Sequence, residues 1–207
     1  MVGGLGLERS FVFLNLKGER VKAALIVFDR VVAANPDFKR YWLLHSIEEP
    51  RVEGGTITVQ HGGKLVDQVL LPERAAIEPV GGEGKEFWVF GENFPSRPRT
   101  ADAEVGAWRV EVSSTADTFL NVMQMMDPDV APLPVKKLDR GVEIAGTAVF
   151  FENPGRVQSR GRFLIAGIPE GRWQVRGPVT RTMLVSADER ALWFEGPPGE
   201  YAIERLP

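Results

Sequence analysis

Cysteine is absent from all 207 residues, which excludes disulfides, thiolate metal sites and cysteine nucleophiles. Histidine and tyrosine are nearly absent, with two of each, and no nucleophile-elbow pattern occurs, so a Ser-His-Asp triad has little to draw on. No run approaches the roughly 18 apolar residues that span a bilayer. The opening residues MVGGLGLERS lack the basic region and apolar stretch of a signal peptide. Lys/Arg and Asp/Glu are interspersed at a net charge of -3, leaving no basic tract for nucleic acid. These absences predict a soluble chain whose partners are neither nucleic acid nor membrane. Amphipathic helical repeats are missing as well, so helix is scarce.

What is present is a rhythm of short β-rich runs separated by Gly, Pro and Asn/Asp. That rhythm predicts an all-β fold, a large two-layer, mostly antiparallel β-sandwich. Strands are expected over 10–16, 22–31, 39–47, 56–60, 64–71, 76–79, 86–90, 106–113 and 118–126. The later half adds 142–151, 161–166, 172–175, 180–185, 191–195 and 200–205. Residues 24–28 are apolar throughout, as in a central strand covered on both faces. The proline-rich stretch 127–137 reads as a crossover or linker. The later half holds few long apolar strands to cover a sheet alone, so a single domain over 1–207 is expected, 43% apolar and long enough for a real core.

Few residues offer chemistry. Gly3-Gly4-Leu5-Gly6 and Gly81-Gly82-Glu83-Gly84-Lys85 superficially resemble phosphate loops, but neither joins a strand to a helix, and Glu86 stands where a P-loop needs Ser or Thr. Asp29 and His45 each occur in otherwise apolar β-runs. A carboxylate and an imidazole supply two of the three ligands that a zinc ion with an open position needs, and no third ligand is visible. Equally, Asp29 caps a turn or pairs with Arg30 or Arg40, and His45 hydrogen-bonds within a sheet. Ser46, next to His45, points to the opposite face. Among the aromatics, Trp42, Trp108 and Trp173 read as core. Trp88 and Phe90, between the Gly81 and Pro95 loops, are candidates for a surface contact with a sugar ring. Arg97 and Arg99 in the Pro-rich loop suit the carboxylates or sulfates of an acidic polysaccharide, or else form a solvated loop.

Several motifs share an order along the chain: Arg9-Ser10-Phe11-Val12-Phe13, Phe28-Asp29-Arg30-Val31, Tyr41-Trp42-Leu43-Leu44-His45, Gly63-Lys64-Leu65 with Leu70-Leu71-Pro72, and Trp108-Arg109-Val110-Glu111-Val112. Phe119-Leu120-Asn121-Val122, Trp173-Gln174-Val175 and Gly199-Glu200-Tyr201 continue it. Together they resemble the C-terminal β-sandwich domain of heparinase II/III-like polysaccharide lyases. The resemblance implies a domain that packs on a helical (α/α) toroid, completes its cleft, and is periplasmic or secreted. It implies β-elimination on uronic-acid glycans, with most of the machinery on the toroid and no complete active site here. It also implies a structural zinc held by His, Asp and His. Asp29 and His45 match the later two ligands, and no histidine occupies the earlier position, so the site is incomplete in this chain. The alternatives are a free-standing carbohydrate-binding module for acidic polysaccharides, and a homodimer formed through the apolar surface that a toroid would cover.

Overall fold

A computed structural model describes residues 6–17, 20–94 and 108–207. Among them lie twenty β-strands and no helix, so the all-β class holds. The chain forms two compact units, Met1–Pro132 and Leu133–Pro207, and the division falls inside the proline-rich stretch 127–137. That stretch is not wholly a linker, because Val135–Leu138 is a strand.

The first unit contains β1 (Gly6–Asn15), β2 (Val21–Val32), β3 (Arg40–Ser46), β4 (Arg51–Glu53), β5 (Thr56–His61), β6 (Gly63–Leu71) and β7 (Ala76–Gly81). It continues with β8 (Trp88–Val89), β9 (Glu92–Asn93), β10 (Trp108–Ser114) and β11 (Thr118–Met126). A six-stranded sheet runs β1-β2-β11-β6-β5-β4, a three-stranded sheet runs β3-β10-β7, and β8 and β9 pair as a hairpin. Pairing in this unit is antiparallel throughout the described residues. The apolar run in β2 lies between β1 and β11. There Ala24 and Ile26 are buried on one face and Val27 on the other, as a strand covered on both sides requires.

One buried cluster draws on both larger sheets. Val27, Ile57, Phe119 and Met123 come from the six-stranded sheet, and Trp42, Val110 and Val112 from the three-stranded one. Each such side chain contributes about 1.5–3 kcal/mol when fully removed from water. Two polar residues are set into this apolar setting. Asp67 on β6 lies opposite Met123 and Ile57, and Asn121 on β11 lies opposite Val69. They are diagonal neighbours on adjacent strands, and therefore share a face. Both are fully buried, and neither the carboxylate oxygens of Asp67 nor the amide atoms of Asn121 find a hydrogen-bond partner. At the far side of the same sheet, β1 is an edge strand that exposes Leu7, Phe11 and Phe13.

The second unit contains β12 (Val135–Leu138), β13 (Gly141–Ile144), β14 (Thr147–Phe150), β15 (Arg156–Ser159), β16 (Arg162–Ala166), β17 (Gly171–Arg176), β18 (Thr180–Val185), β19 (Ala191–Glu195) and β20 (Gly199–Arg205). A five-stranded sheet runs β12-β13-β14-β16-β19 and a four-stranded one β15-β20-β17-β18. Only β14 and β16 pair in parallel among these. The expectation that this half could not cover a sheet by itself fails on its aromatics. Phe163 and Phe194 stack with centroids 4.8 Å apart, and Tyr201 packs tilted against both at 5.6 and 4.8 Å. Trp173, Ile165 and Val175 join them in a core that is the unit's own. The single strand expected over 142–151 is a hairpin, because Ala145 and Gly146 both take positive φ and turn the chain between β13 and β14.

Candidate functional site

The period-two alternation of β3 decides what its outer face presents. Trp42, Leu44 and Ser46 point one way, with Trp42 and Leu44 in the buried cluster, and Tyr41, Leu43 and His45 point the other way. Register then builds rows across the three-stranded sheet. His45 lies opposite Arg109, which lies opposite Val80, and Leu43 lies opposite Glu111, which lies opposite Glu78. These side chains form one wall of a groove of about 940 Å³. The β8–β9 hairpin and its flanks supply the other wall through Phe87, Trp88, Phe90 and Phe94.

Arg109 fastens the hairpin to the sheet. The Arg109 guanidinium donates to the Trp88 carbonyl, and through Nε, at 2.8 Å, to the carboxylate of Glu111. Asn93 closes the hairpin from inside, its Oδ1 accepting from the Phe87 N–H at 2.9 Å, while the Phe94 N–H donates to the Phe87 carbonyl at 3.1 Å. Lys85 Nζ stands 5.6 Å from the centre of the Trp88 ring, within cation-π range. At the tip, Phe90 and Gly91 have φ of 48° and 94°, the two positive values of a type I′ turn. Phe90 is 97% exposed.

Among the described lining residues, carboxylates outnumber the basic groups. Glu78 and Glu111 face each other across β7 and β10, a like-charge pairing that Arg109 relieves from one side. Glu86 adds a third, and its pKa is lowered because its own backbone N–H and that of Gly84 donate to the carboxylate.

The expected site residues fall apart in space. His45 and Trp88 do line one groove. Asp29 lies on β2 in the other sheet, and both its oxygens are taken by Arg9, Nε to Oδ1 and Nη2 to Oδ2, each at 2.6 Å. Arg9 is thus a partner of Asp29 that the sequence did not single out. Arg40 binds Asp117 at 2.8 Å and the carbonyls of Pro36 and Phe38. Among the described residues no three His, Cys, Asp or Glu side chains gather as a metal-binding set. Arg97 and Arg99 lie outside the described residues. Tyr41, Leu43, Arg109, Glu111 and Glu78 were missed as groove residues. The signal for them was register, which the sequence does not print. No protein-family model matches the chain, and no curated protein matches it.

Proposed function

We propose that the chain is a glycan-binding β-domain that holds a polysaccharide along the outer face of β3, β10 and β7. The observation that carries this reading is the composition of the groove. It has the size and the mainly apolar, aromatic lining of a ligand site, with a few polar groups placed among them. Tyr41, Trp88 and Phe90 offer flat apolar faces to sugar rings, and the carboxylates between them accept hydrogen bonds from hydroxyls. The test is electrophoresis of the whole chain through gels containing soluble glycans, with the half-exposed Leu43 changed to Asp as the control. Retardation of the native chain that L43D abolishes is the expected result. Unchanged mobility in every glycan refutes the reading.

A second reading keeps the resemblance to heparinase II/III-like lyases, with this groove completing the cleft of a helical toroid. It is favoured by Tyr41 and His45, which share an exposed strand face and are residue types that pass protons in β-elimination. They stand four residues apart on one strand, about 13 Å, so in this reading one of them would work with a group of the toroid rather than with the other. Incubation of uronic-acid glycans with the chain and such a toroid would then generate the ultraviolet absorbance of an unsaturated uronide, and H45A would reduce it.

A further inference from the structure

Resting on the glycan-binding reading, we propose that the ligand of this groove is an electrically neutral polysaccharide, and that Phe90 is the platform on which one of its sugar rings stacks. Two independent observations lead here. The first is charge. Against the carboxylates of Glu78, Glu86 and Glu111, the described walls set Arg109 and His45, with Lys85 beside them over the Trp88 ring. Arg109 already gives Nε to Glu111 and Nη2 to the Trp88 carbonyl, so its charge is largely balanced by Glu111. Glu86 is held in its ionised form by backbone N–H donors. A uronate or sulfate entering this groove would meet like charge at close range, whereas neutral hydroxyls would meet acceptors that form strong charge-assisted hydrogen bonds. On this reading a neutral polysaccharide suits the described walls better than the acidic one suggested by the sequence.

The second observation is strain without burial. A bulky side chain at positive φ is a steric outlier, and Gly or Asn fits that turn position better. A buried ring would offset the strain by packing, but Phe90 is 97% exposed. Its hairpin is nonetheless anchored by Arg109 and Asn93, which sets the Phe90 backbone at the groove's rim. A platform whose backbone is set in advance loses less freedom on meeting a sugar ring.

The test measures affinity of the whole chain for neutral glycans (β-glucan, xylan, galactomannan) and anionic ones (alginate, polygalacturonate, heparin), with F90N and L43D beside the native protein. Expected are binding to at least one neutral glycan and to no anionic one, and about a tenfold or greater loss in F90N with its melting temperature unchanged or raised. Anionic binding that L43D abolishes overturns the neutral class while leaving a glycan-binding groove. Native affinity in F90N overturns the platform and likewise leaves the groove. No binding to any glycan overturns both this inference and the reading beneath it.

Discussion

Asp67 should make the first unit less stable as the solution becomes more alkaline, opposite to the usual behaviour of a carboxylate held in an ion pair. Burial raises its pKa from 3.8 to about 7, with no compensating partner for either oxygen. An unfolded chain releases this proton near its ordinary pKa, and the folded chain holds it until near neutrality. Between those values the folded state binds one proton more than the unfolded, so stability falls by about 1.4 kcal/mol for each unit of rising pH. Across a span of about 3 the loss is about 4 kcal/mol, fully developed above pH 7 and absent at about pH 4. Replacing Asp67 with Asn keeps the shape and removes the titration. Urea unfolding followed by the fluorescence of Trp42, which packs in the same cluster, reads the difference. D67N should match the native chain near pH 4 and exceed it increasingly up to about pH 7, the gap then levelling off. A gap between the two that does not change with pH, or that narrows as pH rises, would refute the reasoning.

Other outcomes follow from single contacts. R9A strands the buried Asp29 carboxylate and should lower stability by about 2 kcal/mol, discounted for the part-exposed guanidinium, with R9A/D29V recovering most of it in the same urea assay. Zinc added to chelator-treated protein should leave the melting temperature unchanged, since Arg9 occupies both Asp29 oxygens. G141A would place a Cβ 2.0 Å from the Val149 carbonyl oxygen across the β13–β14 hairpin, and should cost about 3 kcal/mol, read from the loss of near-ultraviolet signal of the second unit. Y201F removes the hydroxyl that donates to the Pro197 carbonyl and should cost about 1–2 kcal/mol in thermal unfolding.

Strands were legible where local pattern suffices. The limits expected for 118–126, 180–185 and 191–195 coincide with β11, β18 and β19. Short strands were not legible. Arg51–Glu53 and Arg156–Ser159 are too brief and polar for periodicity to separate from loop. The Ala145-Gly146 turn was hidden because alanine at positive φ carries no turn signal and apolar residues flank it. The site divides in the same way. Trp88 and Phe90 could be singled out as surface aromatics because Gly- and Pro-rich loops flank them. Asp29 could not be assigned to Arg9, twenty residues away, without knowing that β1 pairs with β2 in the register that sets the two opposite each other. Glu78 and Glu111 become neighbours only when β7 joins β10.

The open edge of β1 bears on how the protein behaves when concentrated. Ten residues long, this strand has Leu7, Phe11 and Phe13 exposed on one face, and among the described residues no strand pairs with its outer side. An edge of that length without a proline or bulge is a template on which another chain can add by main-chain hydrogen bonds. Overexpression and refolding would therefore favour aggregates that grow from this strand. A lysine at Phe11 would act as a gatekeeper against them, since a charge there must be desolvated before a new strand can seat.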